Sequence, residues 1–146
     1  MDLVALRVWI YQTLVDTGVA PMASAVAAHW SVTPTVAGAA LETLHDRHEL
    51  FLHPETREIW MAGPFSALPT PFRVRGRRAS YWPRCAWDVF GIAAFLGESV
   101  TAEGSCADCG DRFSFEIAVP GGPADSTGLV HILVPARDWY KDVGFT

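Results

Sequence analysis

The stretch Gly63–Val74, "GPFSALPTPFRV", constrains this chain more than any other, because Pro64, Pro69 and Pro71 fall within it. Proline fixes φ and lacks an N–H, so no helix or central strand can run unbroken through such a segment. It also marks a change of pattern. Before it, apolar residues recur at helical spacing; after it, short β-like runs dominate. We therefore read 1–63 as an N-terminal unit, 64–71 as a proline-rich linker, and 72–146 as a second domain.

In the first unit, Leu3, Leu6, Ile10 and Leu14 repeat at helical spacing and Gly18 closes the helix. "PMASAVAAHW" (Pro21 to Trp30) predicts a short helix of small residues with proline in its first turn. Thr33-Pro34 reads as an N-cap and N1 pair opening a third helix through about Glu49, with Val36, Ala40 and Leu44 facing inward. "LFLHPETREIWMAG" then predicts a hairpin turning at Pro54–Thr56. Three helices and a hairpin make a winged-helix-like layout. Its charge speaks against a DNA-reading role. Residues 1–63 hold Arg7, Arg47 and Arg57 against Asp2, Asp16, Glu42, Asp46, Glu49, Glu55 and Glu58, so 3 − 7 = −4, and the whole chain is at −5. The third helix would present Glu42, His45, Asp46, Arg47, His48 and Glu49 to a phosphate backbone that is itself negative. No nucleic-acid partner is expected, and the unit is read as packing against the second domain.

That second domain opens with a strand at Phe72–Val74. Arginines 73, 75, 77, 78 and 84 follow with no acid among them, read as a solvated face on an edge strand. An apolar helix is predicted from about Cys85 to Leu96, stopped by Gly97. "SVTAEGSCADCGDRFSFEIAVPGG" reads as two strands joined by a cysteine turn, "GLVHILVP" as a further strand holding His131 as a core histidine, and "ARDWYKDVGFT" as helical or irregular. The fold class is α+β, a winged-helix-like three-helix unit packed on a small mixed β-sheet domain with one or two helices. No run of apolar residues is long enough to span a bilayer, and the amphipathic N-terminus with Asp2 is unlike a signal peptide. A cytoplasmic location is expected, where the chain's three cysteines would be free thiols or metal ligands.

Two constellations could carry chemistry. Cys85 and Asp88 lie three apart at a helix start, hence on one face. The helix N-terminus and Arg84 both favour a thiolate there, while burial would favour a protonated Asp88. A thiolate beside a carboxyl able to pass a proton suits cleavage of a bond to a soft metal. A buried cysteine with a capping aspartate is the plainer reading of the same spacing. The second constellation is "CADCG", a knuckle presenting Cys106 and Cys109 to one ion, with glycine supplying the left-handed turn. Zinc wants four ligands, which Cys85 and His131 would complete if the fold gathered them.

Taken together, "PFS…PTPFRV", the arginine-rich "RGRR", "CAWD", a helix ending in "FLG" and "SCADCG" resemble the organomercurial (alkylmercury) lyases across about residues 1–145. The resemblance implies protonolysis of a carbon–mercury bond, release of a hydrocarbon, retention of Hg(II), and its handover to a mercury reductase. It implies capture of mercury by the Cys85 thiolate and proton delivery through Asp88, with no cofactor required. Soft sulfur suits a soft metal. Cys106 matches the family's later, non-catalytic cysteine. The family's second catalytic cysteine lies in a strand beyond the equivalent of "WYKDVGFT", and this sequence ends at Thr146, apparently lacking the family's last strands. Pro83-Arg84 also precedes Cys85 where the family more often has an aromatic. The alternatives are a non-catalytic relative that binds or senses zinc or mercury through Cys85, Cys106 and Cys109, or the same scaffold recruited to other small-molecule chemistry.

Overall fold

A computed structural model describes residues 1–124 and 128–144. Helix α1 (Leu3–Thr17) starts where Asp2 Oδ1 accepts the N–H groups of Val4 and Ala5, at 2.9 and 3.3 Å. It ends at Gly18, whose φ of 73° is the left-handed value glycine adopts without penalty. Leu6, Ile10 and Leu14 face the core. Helix α2 (Ala23–His29) has Met22 at its N-cap, which offers no oxygen; Glu58 instead accepts the Ala23 N–H at 2.7 Å, tying hairpin to helix. Helix α3 (Pro34–Asp46) is capped by Thr33 and buries Ala37, Ala40, Leu41 and Leu44. Val36, expected inward, is exposed, because the buried stripe runs one position later. The helix stops before His48, which takes a φ of 57°.

The strands are β1 (Phe51–Leu52), β2 (Ile59–Ala62), β3 (Phe65–Ser66), β4 (Phe72–Arg75) and β5 (Ser80–Pro83). Helix α4 (Ala86–Leu96) follows, then β6 (Val100–Ser105), β7 (Arg112–Ala118) and β8 (Gly122–Pro123). They form one eight-stranded sheet in the order β1-β2-β3-β5-β4-β6-β7-β8, with antiparallel neighbours throughout. The proline-rich stretch thus contributes a strand: Phe65 and Ser66 are buried, paired with β2 on one side and β5 on the other. Helical unit and sheet share one core, in which Leu6, Ile10 and Leu44 join Phe65, Tyr81, Ile92 and Val100. The α+β architecture is the one read from the sequence.

Two local expectations give way. Strand β4 is interior, between β5 and β6, and its neighbouring arginines are partnered rather than simply solvated. Arg75 pairs with Glu103, Arg77 with Glu98 and Arg78 with Asp16, while the Arg73 guanidinium lies 5.2 Å from the Trp82 ring centre. Acids distant in sequence supply the charges that the local reading could not see. The stretch 128–135 is irregular rather than a strand, and Leu133 is 74% exposed. Apolar content alone does not make a strand; a ladder partner is needed, and none is found among the described residues. A single turn of 3₁₀ helix (Ala136–Asp138) follows. Phe145 and Thr146, the end of the second domain as read, and residues 125–127 lie outside the described residues. Among those described, no helix is long and apolar enough to cross a membrane.

Candidate active site

Strand β5 ends at the buried Pro83, and the Arg84 N–H donates to the Pro64 carbonyl at 3.2 Å. That bond holds the turn leading into α4 against the stretch just before β3. Gly91 on α4 permits the close approach: a Cβ there would stand 3.3 Å from the Pro64 ring. Cys85 is consequently fixed as the N-cap of α4, with extended backbone (φ −146°, ψ 178°) and no side-chain capping bond. A serine there would spend its oxygen on the helix; the weakly accepting sulfur turns instead toward the next turn. Cys85 Sγ donates to Asp88 Oδ2 at 3.4 Å, and the Asp88 N–H donates to the Cys85 carbonyl at 3.2 Å.

Thiol and carboxyl border a cavity of about 210 Å³. Arg84, Cys85 and Asp88 line one wall, and His131, Leu133 and Trp139 of the C-terminal stretch line the other. This volume holds several waters or one small organic ligand. The C-terminal wall is anchored by Tyr140, whose ring stacks on His48 with centroids 4.5 Å apart, and by the Trp139 indole N–H, which donates to the Val134 carbonyl at 2.7 Å.

Burial decides the protonation state. It pushes the Cys85 thiol above its ordinary range; the Asp88 N–H opposes the rise, and the negative charge of Asp88 adds to it. The expected thiolate, favoured by helix N-terminus and Arg84, is therefore not the resting form. Desolvation is the largest influence on it. Burial raises the Asp88 carboxyl too, against the Cys85 hydrogen bond and the positive charge of Arg84. Burial thus disfavours the charged form of each group. Arg84 itself leans on Phe51, with the guanidinium carbon 5.3 Å from the ring centre, and its buried Nε finds no hydrogen-bond partner among the described residues.

Cys106 and Cys109 lie elsewhere, exposed on the turn between β6 and β7. Among the described residues no three His, Cys, Asp or Glu side chains converge as a metal cluster, so Cys85, Cys106 and Cys109 do not gather into one site. His131 is exposed at the cavity rim rather than held in a core strand. The sequence offered His131 as a core histidine or as a ligand beside Cys85, and the structure places it on the same cavity as Cys85; Trp139 as a cavity wall was not foreseen. No local pattern signals Trp139, since its position depends on the chain folding back across the start of α4.

The family model for MerB, alkylmercury lyase, matches residues 65–146, which include the whole of α4 and the cysteine knuckle. No match was found among curated proteins. A crystal structure of the mercury-bound form of MerB2 superposes with a TM-score of 0.65 at 18% identity, covering 86% of this chain. The chain spans 60% of the length of that protein. The likeness supports the fold, and the sequence match over more than half of the chain carries the assignment: this protein belongs to the alkylmercury lyase family.

Proposed function

We propose that the Cys85–Asp88 cavity cleaves carbon–mercury bonds of small organomercurials by protonolysis. The observation that carries this reading is the 3.4 Å contact between Sγ and Oδ2 at the wall of a small, partly open cavity. A substrate R–Hg–X enters and the sulfur attacks mercury, displacing X. The thiol proton passes along its existing hydrogen bond to the Asp88 carboxylate, leaving Cys85–S–Hg–R and a neutral acid. Asp88 then gives that proton to the carbon bound to mercury. The carbon–mercury bond breaks, R–H departs, and Hg(II) remains between the Cys85 thiolate and the regenerated carboxylate. The upward direction at Asp88 suits this relay, because burial favours the neutral acid formed in the first transfer. The apolar wall from Leu133 and Trp139 suits the hydrocarbon part. Hg(II) held by one sulfur is then free to move to an acceptor richer in thiols, such as a mercury reductase.

Incubation of pure protein with phenylmercury tests this directly. Benzene should form with wild type and fall to background with Cys85→Ser. No benzene from wild type, or equal amounts from both proteins, would refute the proposal.

A further inference from the structure

The exposed thiols of Cys106 and Cys109 take no part in that mechanism, and packing does not account for them, since neither is buried. They sit at the tip of the β6–β7 hairpin, closed by the Ser105–Arg112 pair. The Cys106 N–H donates to the Asp111 carbonyl at 2.8 Å, and the Gly110 N–H donates to the Cys106 carbonyl at 2.9 Å. Gly110 has φ of 78°, so the chain reverses there as only glycine does readily. This tight loop turns the N–H groups of Asp108 and Cys109 onto the Cys106 sulfur, which also bonds with the Cys109 side chain. Two sulfurs within reach of each other, one solvated by backbone donors, form a ready chelate.

We infer that Cys106 and Cys109 constitute a second site, separate from the Cys85 cavity, that chelates a soft cation satisfied by two sulfur ligands. Binding forms two metal–sulfur bonds and releases the two thiol protons to solvent. Backbone N–H groups stabilise negative charge on Cys106, and its thiol accordingly lies below the ordinary range. Ligand number sets the choice of ion. A closed zinc site needs four ligands, and among the described residues no third His, Cys, Asp or Glu joins this pair. Hg(II), content with two thiolates in line, matches what the loop offers.

The test uses the full chain, reduced, carrying Cys85→Ser, so that it does not depend on the lyase reading. Hg(II) binding is measured by equilibrium dialysis against a large excess of a monothiol. Circular dichroism checks the fold, which substitutions at exposed positions should leave intact. The Cys85→Ser protein should retain one Hg(II) per chain as a monomer. Adding Cys106→Ser or Cys109→Ser should each weaken binding by on the order of 100-fold, the loss expected when a chelate becomes a single contact. Retention of Hg(II) by either double variant at the same affinity would overturn the inference. So would failure of the Cys85→Ser protein to compete with the monothiol, metal-dependent dimerisation, or retention of Zn(II) against a chelator.

Discussion

The Cys85 sulfur and the Asp88 carboxyl share one hydrogen bond of 3.4 Å at the first turn of α4, and both open onto the same cavity. One proton can therefore serve both steps of the proposed reaction. If Asp88 is the group that delivers it, Asp88→Asn should capture phenylmercury on Cys85 more slowly, with the thiol proton going to water, and lose benzene release by about 100-fold or more, within the range for a positioned general acid. Mass spectrometry of the protein adduct and gas chromatography of the headspace separate the two outcomes. Undiminished benzene release would rule that role out.

The pH dependence of stability has a definite sign at Asp88. Its folded-state pKa is raised by burial, so its protonated form favours folding. That contribution is fully present below the unfolded carboxyl pKa and is lost as pH rises through the raised folded value. Asparagine does not titrate. Urea midpoints of wild type and Asp88→Asn should therefore separate in favour of the variant as pH climbs from the acid range, then run parallel. A gap that narrows with rising pH would contradict the burial argument.

Cysteine reactivity should follow the same physics. Burial lifts the Cys85 thiol, while backbone N–H groups lower Cys106. In alkylation by iodoacetamide, followed peptide by peptide, Cys106 should reach its plateau rate at lower pH than Cys85. A reversed order would mean that the cavity is wetter than its walls imply.

The Tyr81 hydroxyl donates to the Val15 carbonyl at 2.6 Å, joining β5 to the last turn of α1. Tyr81 is buried, so Tyr81→Phe leaves that carbonyl short of a partner without opening a large void. A loss of about 1 kcal/mol in urea unfolding is expected. No change would show that water replaces the hydroxyl there.

Gly18, at the same junction, combines a left-handed φ of 73° with a close approach to the Ser80 carbonyl, which an added Cβ would strike. Gly18→Ala should cost at least about 1–2 kcal/mol, from the conformation and the collision together. Thermal unfolding would reveal it; a neutral result would mean that α1 can shift away from β5.

Much of this molecule was legible along the chain. The Asp2 and Thr33 caps, the leucine stripe of α1 and the glycines after α1 and α4 are local devices whose physics acts within a few residues. The three-residue spacing of Cys85 and Asp88 belongs with them, because a helix start places such a pair on one face whatever surrounds it. Tertiary structure decided everything that needed a distant partner. The arginines met acids tens of residues away, and Phe65 of the proline-rich stretch became part of a continuous sheet. The stretch 128–135 became a cavity wall instead of a strand, carrying His131 to the rim. Above all, burial overruled the thiolate that local charges favoured at Cys85, because desolvation depends on what packs around a group, and no local pattern records that.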